Sequence, residues 1–442
     1  MNVVIRGGTL LSMRDGAQGV PADLLVRGRL IDDIGSFAPP DGVPVIDASG
    51  CYVMPGLVQI HVHLVQTIFR GLAEDLPLME WLRRRIWPLE AAHDERSLRA
   101  SVRLGLLELL LGGTTTVLDM GTSHGGDIVA EELVRSGVRA RFGQAMMDTG
   151  EGVPPRLLET TRASLDASAA LRKRWDGQDS GRIRYAYAPR FALSCTRELL
   201  ESVAALSRMT STLVHTHTNE SRDERELVER ATGRSPVGYL AELGLASERA
   251  VFAHGVHLDA AERAELAATK TAVAHCPSSN LKLGSGVADV AALREAGVTV
   301  GIGADGAACN NRLDGFEEAR LATLLSRALH GPGVLTAGDA LVMATRDGAR
   351  ALRLDGDIGT LEVGKRADLV VLDSGLLAGP SGDPATRIVF GGGSRAVRDV
   401  FVDGEPLLRQ GRPTRLDAQE VRTRAREHVP ALIDRAVPLG YR

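Results

Sequence analysis

The first residues of this 442-residue chain that could support chemistry are two histidines separated by a single residue. His61 and His63 flank Val62 in the segment GLVQIHVHL. Because side chains alternate between the two faces of a strand, both imidazoles would point to the same side. Such a pair can chelate a divalent cation, but an isolated pair could equally be half-exposed histidines without a ligand. The surrounding sequence must decide between these two interpretations.

Other histidines and carboxylates follow apolar runs elsewhere in the chain. His217 and Glu220 lie in HTHTNE, His254 lies in AHGVHL and Asp305 lies in GADG. Parallel strands bring their carboxyl ends to one edge, where barrel enzymes place their active sites. The positions of these residues therefore predict one polar cluster.

The elements that would hold this cluster are eight apolar, strand-like runs separated by helical stretches such as 222–244 and 317–330. This alternation indicates an α/β fold with a parallel sheet, and eight repeats favour a distorted (β/α)8 TIM barrel. The eight runs are 56–64, 114–121, 138–147, 182–191, 211–220, 250–258, 271–280 and 298–306.

Both ends of the chain are different in character from this middle part. Residues 1–53 and 359–415 contain short alternating segments separated by Gly, Asp and Pro, which predict a small β-sandwich domain built from both ends. The barrel is expected over 54–358. The last stretch, 416–442, is expected to be a surface helix.

Composition excludes several classes of function. A formal net charge of -4 gives no basic footprint for nucleic acid. No run of about 18 apolar residues occurs, so we expect no membrane partner. The four cysteines form no CxxC pair, which suits a reducing compartment, and the N-terminal segment does not resemble a secretion signal. We therefore expect a cytoplasmic protein.

The ordered motifs MPGLVQIHVHL, HTHTNE, AHGVHL, AHCPSSN and GADG resemble the amidohydrolase superfamily. The resemblance covers nearly the whole chain, including both β-rich ends. It implies a divalent ion, Zn²⁺ or alternatively Fe²⁺, and a catalytic site with an open coordination position. The implied ligands are His61, His63, His217 and Asp305.

Two choices in this assignment depend on the family pattern. The family's strand-5 histidine lies three residues before its catalytic glutamate, which selects His217 with Glu220 and leaves His215 as the alternative ligand. The fourth run, RIRYAYAPRF, lacks the lysine that bridges a second ion in binuclear relatives. One metal ion is therefore expected.

The resemblance also implies the catalytic roles. Glu220 would move a proton from water to the substrate, Asp305 would accept a proton beside the ion, and His254 would stabilise developing charge. The structural alternatives are a solvated carboxylate at a helix start for Glu220 and a core histidine for His254. A metal-binding scaffold without catalysis is the non-enzymatic alternative.

The loop after the first strand resembles the deaminase and chlorohydrolase branch, which acts on aminated nitrogen heterocycles. Trp81 and Glu90 have the spacing with which adenosine-type members line a nucleoside pocket, where the Glu binds the ribose diol. Arg190 and Phe191 in APRFALSC instead resemble guanine deaminase. Asn280, together with His275 and Ser278, lies in a loop that could orient substrate or simply form a turn.

The expected function is hydrolytic deamination of a 5'-modified adenosine: 5'-deoxyadenosine, methylthioadenosine or S-adenosylhomocysteine. Deamination of guanine or another oxopurine is the first alternative, and hydrolysis or dechlorination of an s-triazine is the second. The expected partner is a small amino-heterocycle. A homo-oligomer is also expected, because this branch often forms dimers or larger assemblies.

Overall fold

The computed structural model of the protein describes residues 2–379 and 381–442. Eight parallel strand positions close into a barrel, and the two ends of the chain meet in a separate sheet. The predicted fold class, a (β/α)8 barrel with an additional β domain, is confirmed. Within the described part of the chain, no helix is both long and apolar enough to cross a membrane.

The additional sheet has nine strands and takes residues from both ends of the chain. Strands β5 and β16 join the two halves by antiparallel pairing of Val53 with Val371. Most neighbours are antiparallel, but β1 pairs in parallel with β4 and β5. The strands are β1 Asn2–Leu11, β2 Gly19–Arg27, β3 Leu30–Gly35, β4 Val45–Asp47, β5 Cys51–Pro55, β16 Leu369–Asp373, β17 Val397–Val402, β18 Glu405–Arg409 and β19 Arg412–Pro413.

Each of the eight apolar runs contributes one position of the barrel, and two positions are interrupted. The barrel closes where β11 pairs with β10. The strands are β6 Leu57–His63, β7 Thr114–Asp119, β8 Arg139–Phe142 with β9 Ala145–Met146, β10 Ile183–Pro189, β11 Leu213–Thr218, β12 Ala250–His254, β13 Ala272–His275, and β14 Val300–Ile302 with β15 Asp305–Gly306.

A glycine lies at the interruption between β14 and β15. A Cβ at Gly303 would lie 2.8 Å from the backbone oxygen of His61. Real side chains do not tolerate that distance, so only glycine lets the eighth strand approach the first at this point. The strand then resumes at Asp305, whose Cα pairs with that of Val62, between the two histidines.

Helices cover the barrel, and most begin at a side-chain cap such as Asp94 or Asp259. The helices are α1 Leu78–Trp81, α2 Trp87–Ala91, α3 Glu95–Leu111, α4 Gly126–Ser136, α5 Thr161–Trp175, α6 Arg197–Thr210, α7 Arg222–Thr232, α8 Pro236–Glu242, α9 Ala260–Thr269, α10 Pro277–Lys282, α11 Val290–Glu295, α12 Ala307–Asn310, α13 Gly315–His330, α14 Ala337–Val342, α15 Gly348–Ala351, α16 Pro384–Gly391 and α17 Ala418–Ala436. The predicted final helix is α17, which packs against α3.

A long connection between β6 and α3 covers the carboxyl end of the barrel. We call residues 64–94 the lid segment. It starts as a 3₁₀ helix, Leu64–Phe69, and later contains α1 and α2 joined by π-helical residues Leu82–Ile86. Its apolar residues pack with the end of α17 in one buried cluster. π-Helical turns of this kind are frequent at functional sites.

Candidate active site

The polar residues singled out in the sequence converge at the carboxyl ends of the barrel strands. His61 and His63 come from β6, His217 from β11, His254 from the end of β12 and Asp305 from the start of β15. All are buried except His217, which is partly buried. Strands distant in sequence therefore deliver imidazoles and a carboxylate to one small volume.

The atoms of this cluster are spaced as a cation would require. His63 Nε2 lies 3.2 Å from His217 Nε2 and 3.5 Å from Asp305 Oδ1. His61 Nε2 lies 3.3 Å from Asp305 Oδ1 and has no hydrogen-bond partner. Two groupings, His61 with His63 and His217, and His61 with His254 and Asp305, each bring their ligand atoms within 4.8 Å.

Electrostatics favour neutral imidazoles at His63 and His217. Burial lowers the pKa of His63 and of His217 well below the usual value, and neighbouring histidines lower it further. A neutral imidazole offers the lone pair that a metal needs. Several imidazole nitrogens and one carboxylate suit zinc or a similar divalent ion, so these residues fit the metal that the sequence implied.

His217 and His215 have different surroundings although they share a strand face. His217 Nδ1 donates to the backbone oxygen of Arg190 at 2.7 Å, which leaves Nε2 for the centre. His215 Nε2 instead lies 2.7 Å from His61 Nδ1, on the side of His61 away from Asp305. The geometry therefore supports His217 as the ligand that the HTHTNE spacing indicated.

Asp305 is held in a strained and polar position. Its backbone φ is +61°, and that of His254 is +76°, both in the left-handed region that residues other than glycine rarely adopt. Ser279 Oγ donates to Asp305 Oδ2 at 2.6 Å. Burial alone would raise the pKa of Asp305, but the adjacent His61 holds it well below the usual value. The carboxylate is therefore ionised and fixed in direction.

Glu220 approaches the same ring nitrogen of His254 as Asp305 does. His254 Nε2 is 3.4 Å from Glu220 Oε2 and 3.9 Å from Asp305 Oδ2, so both carboxyl groups face this nitrogen. Burial, followed by the charge of Asp305, raises the pKa of Glu220 well above its usual value. A carboxyl group with a raised pKa next to a cation site is suited to taking and returning a proton.

The side chain of Asn280 is hydrogen-bonded to the ring of His254. His254 Nδ1 lies 2.9 Å from Asn280 Oδ1, which fixes the orientation of the ring. Asn280 is buried and is not among the residues that line the cavity described below. Its predicted contact with substrate stays a prediction, and its observed contact is with a candidate catalytic side chain.

Glu90 and Arg190 form a buried ion pair at the barrel mouth. Arg190 Nη1 donates to Glu90 Oε2 at 2.6 Å, and Arg190 Nη2 donates to Glu90 Oε1 at 3.1 Å. Gln66 Nε2 donates to the same carboxylate at 2.9 Å. Arg190 and Gln66 line the cavity, whereas Glu90 lies behind them and is completely buried. The carboxylate predicted to bind a ribose diol is thus occupied by its neighbours.

A small cavity lies between the polar groups at the barrel mouth and the lid segment. It encloses about 20 Å³, enough for roughly one water molecule. Trp81 and Phe191, both predicted to contact substrate, lie on its wall. The full lining is His63, Gln66, Leu78, Trp81, Leu82, Arg190, Phe191, His217, Glu220, His254 and Asp305.

Contacts within the lid segment and with other elements hold it over the barrel end. Trp81 Nε1 donates to the backbone oxygen of Ala73 at 3.0 Å. Lys282 Nζ of α10 lies 2.8 Å from a carboxylate oxygen of Glu74. Tyr441 Oη, beyond α17, donates to the backbone oxygen of Leu72 at 2.9 Å. A molecule as large as a nucleoside would need more space than this cavity offers, so its entry would require some of these contacts to open.

Sequence reasoning missed three polar residues of this site. Gln66 follows the histidine pair in an apolar run, and its buried Oε1 has no hydrogen-bond partner. Ser279 contacts Asp305, whereas the sequence motif indicates its neighbour Ser278. Glu224 Oε2 accepts the backbone N–H of Glu220 at 2.7 Å. Two patterns in the sequence point to such residues. Gln66 is a polar residue within an apolar run, and Glu224 lies one helical turn after a candidate catalytic residue.

The fold and this site define the class of protein. The chain matches the Amidohydrolase family over residues 52–407 and belongs to that family. It is therefore a hydrolase whose family and relatives indicate action on carbon–nitrogen bonds, as the sequence motifs predicted.

Particular relatives are similar over most of their length. A 5-methylthioadenosine/S-adenosylhomocysteine deaminase of Moorella thermoacetica is 39% identical, covering 88% of this chain and 91% of the relative. A 5'-deoxyadenosine deaminase of Methanothermobacter thermautotrophicus is 39% identical, covering 88% and 89% respectively. Among solved structures, a zinc-bound adenosine deaminase of Xanthomonas campestris superposes with a TM-score of 0.91 at 31% identity, covering 98% of this chain and 99% of that one.

Proposed function

We propose that this protein is a zinc-dependent deaminase that releases ammonia from a 5'-modified adenosine. The candidates are 5'-deoxyadenosine, methylthioadenosine and S-adenosylhomocysteine. The observation that carries the proposal is the placement of Glu220 beside His254 and Asp305 at a cluster of buried imidazoles. Extensive similarity to relatives named as deaminases of these nucleosides supports the substrate class.

One zinc ion would be held by His61, His63, His217 and Asp305, with Fe²⁺ as the alternative metal. Bound there, the ion would lower the pKa of the attacking water toward neutrality. Strand β10 contains no lysine that could bridge a second ion, which supports a single ion.

The protein's own groups would move the protons. Glu220 would take a proton from the attacking water and deliver it to a ring nitrogen of the base. Asp305, ionised and fixed by Ser279, would accept the second proton of the water and return it to the exocyclic amine. The His254 ring, oriented by Asn280, would stabilise the charge that develops when the carbon becomes tetrahedral. Departure of the exocyclic amine as ammonia would complete the exchange of nitrogen for oxygen.

The wall of the cavity supports an aromatic substrate. Trp81 and Phe191 would contact the flat faces of a purine, while Leu78 and Leu82 add apolar surface. Glu90 would bind the ribose hydroxyls only if the lid segment and Arg190 released its carboxylate. The nucleoside proposal therefore includes a rearrangement of the Glu90–Arg190 pair during binding.

Deamination of an oxopurine such as guanine is the second candidate, and one observation favours it. Gln66 offers an unpaired carbonyl oxygen, and Arg190 has N–H groups beyond the two that Glu90 uses. An acceptor beside a donor matches the ring N–H and carbonyl of an oxopurine. A triazine substrate is the third candidate, and the structure offers no feature that favours it.

An ammonia-release assay tests these alternatives in one experiment. The purified zinc-loaded protein would be supplied with 5'-deoxyadenosine, methylthioadenosine, S-adenosylhomocysteine, guanine, 8-oxoguanine and an aminotriazine. We expect the highest kcat/KM among the three adenosine derivatives. A highest value for guanine or 8-oxoguanine would transfer the assignment to the second candidate. Release from none of them would contradict the proposed function.

A further inference from the structure

His215 is a fully buried residue next to the metal cluster that the mechanism above does not use. It lies two residues before His217 on β11, so both side chains leave the same face of the strand. His215 Nε2 is 2.7 Å from His61 Nδ1, a distance that fits a hydrogen bond between the two rings. His215 Nδ1 is also buried and has no partner.

The direction of this contact separates His215 from the ligands. The rings of His61 and His215 are nearly perpendicular, at 84°, with centroids 4.8 Å apart. His61 uses Nδ1 toward His215 and turns Nε2 toward Asp305. Neither grouping of candidate ligand atoms contains His215. Its contact with the centre therefore passes through His61.

We propose that His215 is a positioning residue that fixes both the orientation and the tautomer of His61. This inference rests on the metal site of the proposed function. A neutral imidazole carries one proton, on either Nδ1 or Nε2. When His61 Nδ1–H donates to His215 Nε2, the lone pair of His61 is on Nε2 and points into the cluster. That is the tautomer that metal binding requires.

The same pair has a second hydrogen-bonded state. If His215 Nε2–H donates instead, His61 Nδ1 accepts and His61 Nε2 carries the proton toward Asp305 Oδ1, 3.3 Å away. In that state, His61 cannot bind an ion through Nε2. Metal loading therefore selects one of two tautomeric states, and the His61–His215 hydrogen bond is kept in both.

A histidine in this place has a different electrostatic effect from the usual carboxylate partner. Metal-bound histidines usually donate to a carboxylate, a backbone oxygen or water. Asp305 and Glu220 already bring two carboxyl groups into the buried site, and a third would add repulsion and desolvation cost. A neutral imidazole accepts the hydrogen bond without adding charge.

Zinc affinity distinguishes positioning from simple packing. The metal-free full chain and two variants, His215→Ala and His215→Gln, would be titrated with Zn²⁺ in competition with a chromophoric chelator. We expect His215→Ala to bind zinc about 10- to 100-fold more weakly. His215→Gln should stay within a few-fold of the original protein, because its side-chain oxygen can accept from His61 Nδ1.

His275→Ala is the matched control for loss of a buried imidazole. His275 ends β13, is buried, and has no hydrogen-bond partner on either ring nitrogen. Its removal should leave zinc affinity within a few-fold. An unchanged affinity in His215→Ala, or an equal loss in all three variants, would overturn the positioning role. If His215→Ala does not fold, the Gln variant and the spectrum below decide.

Nitrogen NMR gives a readout that packing alone would not produce. In zinc-loaded protein labelled with ¹⁵N-histidine, we expect His61 to carry its proton on Nδ1 and His215 to accept through Nε2. A proton on His61 Nε2 in the loaded protein would overturn the inference. If the original protein does not bind zinc, the proposed metal site itself is contradicted. If the original protein and His215→Ala both bind zinc tightly, only the positioning role of His215 is contradicted.

Discussion

Arg190 and Glu90 are joined by two hydrogen bonds, of 2.6 and 3.1 Å, in a place where neither side chain is exposed by more than 3%. The pair links β10, which ends at Pro189, to α2 of the lid segment. Because Arg190 also lines the cavity, this ion pair connects the position of the lid segment with the wall that substrate would touch.

Replacement of Glu90 should therefore affect both stability and specificity. Glu90→Ala leaves a buried guanidinium without its carboxylate, which costs about 3–5 kcal/mol in the free energy of unfolding. If Glu90 binds the ribose, the variant should also lose its preference for nucleoside over free base. Urea denaturation and paired kcat/KM values measure the two effects.

Glu80→Gln is the control for this change. Glu80 belongs to the same lid segment and pairs with Arg84, but both side chains are about half exposed. Exposed pairs one helical turn apart contribute about 0.3–0.5 kcal/mol. A Glu90→Ala variant as stable and as selective as Glu80→Gln would contradict both the buried pair and the ribose contact.

Glu220→Gln should separate catalysis from metal binding. The amide keeps the size of the side chain but cannot take a proton, so we expect turnover to fall by about 10²-fold or more. Metal content should stay unchanged, because Glu220 contributes no atom to the ligand groupings. Steady-state ammonia release and elemental analysis, made on the same preparation, test the two statements. A near-normal rate would remove Glu220 from the proton-transfer role.

Elemental analysis should find about one equivalent of divalent metal per chain, as expected for three imidazoles and one carboxylate around a single ion. His63→Ala should lose most of it. His330→Ala is the control, since His330 is partly exposed and pairs with Asp289 far from the cluster along the chain. Less than half an equivalent in the unaltered protein would count against the metal site.

Asp119 should make the stability of the protein depend on pH. Burial raises the pKa of this side chain from 3.8 to about 7, although it accepts the backbone N–H of Leu64. The folded state therefore holds a proton that the unfolded chain releases between about pH 4 and pH 7. Between about pH 4 and pH 7 the contribution of Asp119 to the free energy of unfolding falls as pH rises. Above about pH 7 this loss of stability no longer changes with pH.

Asp119→Asn cannot ionise and should lack this dependence. Relative to the original protein, the variant should become progressively more stable from pH 4 to pH 7, by about 4 kcal/mol at most for a shift of about three pKa units. Denaturant unfolding at several pH values measures the difference. A constant difference across the window would show that Asp119 is ionised in the folded protein.

The sequence predicted the parts of this molecule that depend on local pattern. Alternating apolar runs indicated all eight barrel positions, and the parity of His61 and His63 predicted that they share a face. The family spacing predicts His217 rather than His215 as the ligand, and this choice stays a prediction. Features of this kind can be predicted because the alternation of a strand and the spacing of a motif depend only on residues a few positions apart in the chain.

Features that depend on long-range contacts could not be derived in this way. The pairing of Glu90 with Arg190 joins residues 100 positions apart, and the contact of His215 with His61 joins residues 154 positions apart. The break between β14 and β15 depends on how closely Gly303 approaches β6. The sequence predicted that the Glu90 carboxylate is free to bind ribose hydroxyl groups, because no residue near Glu90 in the chain indicates its pairing with Arg190.

The closed lid segment has a kinetic consequence. In this conformation the cavity has room for about one water, so binding of the proposed nucleoside and release of its product would each require the lid segment to move. The opening rate is then an upper bound on turnover, whatever the speed of the chemical step. Tyr441, more than 100 residues after the last group that would touch substrate, contacts the lid segment through its bond to Leu72, so its removal should make this movement easier. Changes far from the reacting atoms can thus change kcat without altering any proton transfer.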